Sequence, residues 1–157
     1  MLDPEAVTFV EGGCALIVGT VGPTGEPHAA RGWGVTVLSA DPAVVHLVID
    51  AVDPVTTGNL AANAQIAITG ADVATLRSLQ MKGTAEVLPR GTIDERARAE
   101  RFSDAFFSDI TAVDGTPREL LEQLVPHDFL ACLVRVSELY DQTPGPGAGT
   151  PLVEGGT

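Results

Sequence analysis

The fold is decided by Cys14-Ala15-Leu16-Ile17-Val18-Gly19-Thr20, by the turn Gly22-Pro23-Thr24-Gly25-Glu26 with its extended run to about Leu38, and by Asp41-Pro42 before Val44-Val45-His46-Leu47-Val48-Ile49. The unbroken apolar residues Ala15 to Val18 read as a strand, and the Gly/Pro turn closes it into a hairpin with the next stretch. Asp41-Pro42 breaks the chain again, and the β-branched run beyond it has the length and composition of a buried third strand. Strands joined by hairpin-length connections run antiparallel, whereas parallel neighbours need crossovers of a dozen or more residues. No strand leads into a Gly-x-Gly-x-x-Gly helix start, which disfavours a dinucleotide fold.

Working outward, Asp3 caps a short helix with Pro4 at its first position, and Gly12-Gly13 ends it. Asp53-Pro54 starts another short helix to about Ala62, Gln65 to Thr69 is a fourth strand, and Leu76 to Leu88 is a long fifth one. Thr92-Ile93-Asp94-Glu95 has capping-box spacing and opens a helix in which Ala99, Phe102, Ala105 and Phe106 share a face. Thr116-Pro117-Arg118-Glu119 repeats the signal, with Pro117 at the first helical position, for a helix over Leu120, Leu121 and Leu124, and Phe129 to Tyr140 is the last strand. The order predicts a mainly β, α+β protein on an antiparallel barrel. Residues 1–140 form one domain with helical insertions, and residues 141–157 an extended Pro/Gly-rich tail suited to contact with a partner subunit.

The chain has 157 residues, enough for one core that buries roughly 68–70 % of the unfolded surface. Twenty-one acidic residues against nine basic ones give a net charge of -12, which opposes nucleic acid and anionic membrane surfaces at long range. An apolar share of 45 % and a mean hydropathy of +0.21 point to burial between subunits. Cys14 and Cys132 stand far apart with no Cys-x-x-Cys, so no disulfide framework or zinc ribbon is indicated and a reducing cytoplasm fits. The start Met1-Leu2-Asp3-Pro4-Glu5 lacks the positive residues of a signal peptide, and no apolar run approaches membrane-spanning length.

Chemistry has few places to sit. Lys82 is the one lysine, and it lies in the strand-like Ser78-Leu79-Gln80-Met81-Lys82-Gly83-Thr84-Ala85-Glu86-Val87, on the same face as Gln80. It either meets a ligand anion, pairs with one of the many carboxylates, or protects an edge strand from aggregation. In His28-Ala29-Ala30-Arg31-Gly32-Trp33-Gly34-Val35, strict alternation puts Arg31 and Trp33 together, where they could stack as a cation–π pair. The two glycines mark either the close approach of a flat ring or a bulge. Asp53-Pro54-Val55-Thr56-Thr57 brings two hydroxyls and free backbone donors to a helix N-terminus, an anion seat unless Asp53 itself caps it. His28, His46 and His127 are too scattered for a metal triad, and hydrolase and P-loop motifs are absent. Arg96, Arg98 and Arg101 among Asp94, Glu95 and Glu100 read as a solvated, charge-paired helix face.

Taken together, Ala15-Leu16-Ile17-Val18-Gly19-Thr20, Gly25-Glu26-Pro27-His28, Asn59-Leu60-Ala61-Ala62-Asn63-Ala64-Gln65-Ile66-Ala67 and Leu79-Gln80-Met81-Lys82-Gly83-Thr84-Ala85 resemble the pyridoxamine 5′-phosphate oxidase-like family of FMN-binding split barrels. The resemblance implies a six-stranded antiparallel split β-barrel and a homodimer whose interface forms two cofactor sites. It also implies FMN, or a deazaflavin, with Arg31, Trp33, Thr56, Thr57, Gln80 and Lys82 around it, and a flavin-dependent oxidoreductase acting on a small-molecule substrate. Where FMN-binding members carry an Arg-Lys or Ser-Lys pair, this chain has Val55-Thr56-Thr57 behind Asp53. Trp33 is the only tryptophan and Arg135 the last arginine, so the C-terminal signature of true pyridoxamine phosphate oxidases is missing and the vitamin B6 reaction is not expected. The alternatives are a non-enzymatic barrel that holds haem through His28 or His46, and a ligand-free dimeric scaffold in which Arg31 and Lys82 pair with carboxylates.

Overall fold

The computed structural model describes residues 1–153; the last four residues of the expected tail lie outside it. Helix α1 (Pro4–Glu11) is capped by Asp3, whose Oδ1 accepts from the Ala6 N–H at 2.7 Å. Strands β1 (Ala15–Val21), β2 (Pro27–Ala40) and β3 (Ala43–Asp50) form the expected meander, and helix α2 (Pro54–Asn63) leads into the hairpin of β4 (Gln65–Ala71) and β5 (Ser78–Val87). Helices α3 (Glu95–Asp114) and α4 (Arg118–Glu122) precede β6 (Phe129–Asp141). β1 pairs with both β2 and β4, β5 with both β4 and β6, and β3 with β6, which closes an antiparallel barrel of six strands. The protein is mainly β with accessory helices.

Alternation along β1 sends Leu16, Val18 and Thr20 inward and leaves Ile17 exposed. Val18, Val45, Leu47, Ile68, Met81, Cys132 and Val134 fill the barrel. β3 buries both faces, Val45 and Leu47 toward the barrel and Val48 away from it, because α3 lies across β2, β3 and β6. Phe102 and Phe106 of α3 stack with centroids 5.5 Å apart, and Phe102 meets the Trp33 ring edge-on at 6.5 Å.

Four local details differ from the sequence reading. The cap of α3 is Asp94, which accepts from Ala97 N at 2.9 Å, while Thr92 bonds back to the Pro89 carbonyl. Pro117 is the N-cap of α4 instead of its first helical residue, and offers no side-chain acceptor. The arginines of α3 form no carboxylate pairs within the helix among the described residues: Arg96 donates to the His127 carbonyl at 2.7 Å, and one guanidinium nitrogen of Arg98 is buried without a partner. A seventh strand, β7 (Thr150–Val153), folds the tail back along β6 and pairs Pro151 with Tyr140. Gly149 N donates to the Asp141 carbonyl at 2.7 Å, and Gln142 N to that of Ser78 at 2.9 Å, so the tail is tied to its own sheet.

Candidate functional site

The outer face of β2, β1, β4, β5 and β6 carries two parallel rows of residues set by strand register. One row runs Ala29, Gly19, Ala67, Lys82, Glu138; the next runs Arg31, Ile17, Thr69, Gln80, Tyr140. The first row has no side chain larger than a methyl group between β2 and Lys82, so it forms a flat floor. A groove of about 750 Å³ lies on it, and Lys82, Glu138 and Ser137 form one wall. β2 and β5 are three strand spacings apart, about 14 Å, with Lys82 at the β5 end of the floor and Arg31 at the β2 end of the adjoining row. Ile17 is 44 % exposed in the centre of this face.

Lys82 owes its position to a bulge. The β5–β6 register shifts between Lys82 and Gly83, and a Cβ on Gly83 would lie 1.9 Å from the Arg135 carbonyl oxygen. Only glycine lets the two backbones approach this closely. The shift aligns Lys82 with Glu138, yet the ammonium makes no ion pair among the described residues; it stands 4.6 Å from the centroid of the Tyr140 ring. The Tyr140 hydroxyl in turn donates to Glu138 Oε2. Beside them Gln80 Nε2 donates to Thr69 Oγ1 at 2.9 Å and Gln142 Nε2 to Gln80 Oε1 at 3.4 Å. β5 is an interior strand, so edge protection does not explain Lys82. Arg31 is exposed and likewise without an ion pair among the described residues.

Trp33 does not join this face. A register shift between Gly32 and Val35, with Gly34 at φ +134°, breaks the alternation of β2 and turns the indole under α3. The ring is 3 % exposed and contacts Phe102 and Phe129 edge-on, so no Arg31 stack forms. The two glycines serve packing. A Cβ on Gly32 would meet Leu16 at 3.0 Å inside the barrel, and one on Gly34 would meet Phe102 and the Arg98 carbonyl at 3.4 and 3.5 Å.

Thr56 and Thr57 sit at the head of α2, and their polar groups are already engaged. Asp53 Oδ1 accepts from Val55 N at 3.0 Å and Thr56 N at 3.2 Å, and its Oδ2 accepts from Thr56 Oγ1 at 2.6 Å. Thr57 Oγ1 donates to the Asp53 carbonyl at 3.1 Å. His28 Nε2 lies 3.0 Å from the same Oδ2. Burial would raise the Asp53 pKa, but the hydrogen bonds from Thr56, His28 and the backbone outweigh it and hold the carboxyl below the usual range. His46 belongs to another region: its Nδ1 is buried and unpartnered, and burial, then the nearby Arg98 charge, lower its basicity.

Gln80 and Lys82 are thus on one face with Arg31, while Thr56, Thr57 and Trp33 are elsewhere. Tyr140, Glu138 and the floor residues Gly19 and Ala67 went unmarked in the sequence. Alternation in β6 puts Glu138 and Tyr140 on one face, but only the β5–β6 register reveals which face that is. A planar ring fits the floor. A phosphate at α2 does not: two unit charges at about 4 Å repel by about 4 kcal/mol at an effective dielectric near 20, and the Asp53 carboxylate holds the donors a phosphate would need. Among the described residues no group of three or more His, Cys, Asp or Glu side chains could hold a metal, and no helix is long and apolar enough to cross a membrane.

Comparison with known proteins adds a family and a fold. The family model for pyridoxamine 5′-phosphate oxidase matches residues 2–134. The structure is similar to a putative pyridoxamine 5′-phosphate oxidase from Lactobacillus delbrueckii, with a TM-score of 0.56 at 17 % identity over 88 % of this chain and 93 % of that one. It is similar to HutZ, a haem storage protein from Vibrio cholerae, with a TM-score of 0.51 at 19 % identity over 89 % and 94 %. An F420 reductase gives 0.50 at 17 % identity over 84 % and 93 %. A sequence search of the curated proteins finds no match.

Proposed function

Since the chain belongs to the pyridoxamine 5′-phosphate oxidase family, we propose that it is an oxidoreductase that seats a flavin or deazaflavin ring on the outer sheet face. The observation that carries this reading is the flat Gly19–Ala67 floor with Lys82 on its wall and Arg31 at the β2 end of the adjoining row, neither cation having an ion pair among the described residues. An anionic, reduced ring or an acidic substituent would be met by either charge. Redox chemistry is supplied by the cofactor; the chain binds the ring, orients it and shields one side. The similarity to an F420 reductase gives the deazaflavin its place beside the flavin.

A second copy of the chain would complete the site. The groove lies open on the sheet, and Ile17 stands exposed beside it, so a homodimer packed through this face would cover both. Haem has weaker support. The similarity to HutZ raises it, but of the two candidate ligands His46 lies outside the groove lining, and His28, which lines it, has its Nε2 engaged by Asp53 at 3.0 Å.

The test is the visible spectrum of purified protein after incubation with a flavin or with F420 and removal of the excess. Retained absorption of one ring per protomer supports the proposal. Loss of both ligands on desalting would overturn it.

A further inference from the structure

We propose that Asp53 is a built-in anion that fills the head of α2, so that the ligand of the sheet face is recognised by its ring and not by a phosphate at that helix. The inference rests on the ring-binding reading above and specifies the ligand class: flavins with and without a 5′-phosphate are bound alike.

The argument is one of occupied donors. A helix N-terminus attracts an anion because its first N–H groups have no intrahelical acceptor. In α2 the side chain of Asp53 takes the N–H groups of Val55 and Thr56 and the Thr56 hydroxyl, while the Thr57 hydroxyl turns to the Asp53 carbonyl. The His28 ring is held by the same carboxylate at 3.0 Å. Thr56 is fully buried, so its hydroxyl cannot swing out to a ligand without opening the turn. No lysine or arginine occurs between Gly32 and Leu76, so α2 itself supplies no positive side chain to offset a phosphate. Any phosphate is left with Arg31 and Lys82, exposed or half-exposed cations whose pull is weakened by salt.

The experiment measures riboflavin and FMN binding side by side through quenching of flavin fluorescence, for the wild-type protein, Asp53→Asn, and Asp53→Ser as a second neutral cap. The wild type is expected to bind the two flavins within about threefold of each other at moderate salt, a gap of under 1 kcal/mol. Both neutral caps remove the carboxylate charge and its repulsion of a phosphate near the helix head, so both variants are expected to shift the FMN-to-riboflavin affinity ratio about three- to tenfold toward FMN and to leave riboflavin binding unchanged. A wild-type protein that holds FMN about a hundredfold more tightly than riboflavin, or a ratio unmoved in a variant whose circular dichroism is native, overturns the inference and leaves the ring seat standing. Binding of neither flavin overturns this inference, and the ring seat falls with it only if F420 is not retained either.

Discussion

Lys82 holds its ammonium 4.6 Å from the centroid of the Tyr140 ring, and the hydroxyl of that ring donates to Glu138. The contact keeps the cation beside the groove without neutralising it, since a cation–π contact at an exposed site is worth only about 0.5–1 kcal/mol. A ligand anion can therefore draw Lys82 away at small cost. Lys82→Ala is expected to weaken binding of an anionic ring about tenfold with little change in thermal stability. Titration of flavin fluorescence together with a melting curve checks both; unchanged affinity would count against a role for Lys82 at the ligand.

The floor gives a second test. A Cβ on Gly19 would meet only Ala67, at 3.7 Å, which is ordinary contact, so the barrel tolerates a side chain there. Gly19→Val is expected to fold with near-native stability, helped by the β preference of valine, and to lose ring binding because its methyl groups stand where the ring would lie. Retained binding in the folded variant would move the ligand off this face.

Much of this was legible in the sequence because it is local. Asp3-Pro4, Gly22-Pro23 and Asp53-Pro54 mark their boundaries by backbone chemistry, and alternation in β5 puts Gln80 and Lys82 together. What stayed hidden depends on pairings between distant segments. Closure of β3 onto β6, the return of the tail as β7 and the alignment of Lys82 with Glu138 have no local signal. Trp33 was misplaced because the bulge at Gly34 shifts the alternation of β2, and a period of two cannot announce where it breaks. The cap of α3 was misplaced because Thr92 and Asp94 are both good cap residues, and the structure uses the second.

The bulge beneath Lys82 predicts an intolerant position. Any side chain at Gly83 would collide with the Arg135 backbone, not with a flexible side-chain tip, so relief requires β5 and β6 to separate. Gly83→Ala is expected to destabilise the protein by about 2–4 kcal/mol, at the upper end of single substitutions. Gly58, where an added Cβ meets nothing within 4 Å, is the control, and its replacement by alanine should be neutral or stabilising in a helix. Urea unfolding of the two variants measures the contrast, and equal midpoints would mean that the bulge relaxes.

Burial also predicts quiet cysteines. Desolvation pushes the Cys14 thiol up to about 11 and Cys132 up to about 12, so almost no thiolate exists near neutrality. Native protein at pH 8 is expected to resist a maleimide for as long as it stays folded and to react at both thiols in denaturant. Rapid labelling of Cys132 in the native state would show that β6 opens readily.

Acid stability follows from Asp53, with a definite sign. Burial works to raise its pKa, but hydrogen bonds from Thr56, His28 and the α2 backbone outweigh it and hold the folded carboxyl below the usual carboxylate range, so the folded state favours the carboxylate. A group depressed in this way contributes its stability above the unfolded pKa and loses it as pH falls through the folded one. The stability of wild type relative to Asp53→Asn should therefore hold steady from pH 7 to about 5 and decline below about 4. Asp72, Asp114 and Asp141 are depressed as well, but they are common to both proteins and cancel in the comparison. Chemical unfolding at a series of pH values gives the difference directly. A difference that grew as the pH fell would mean that Asp53 is destabilised by its surroundings, and the head of α2 would then be open to another anion.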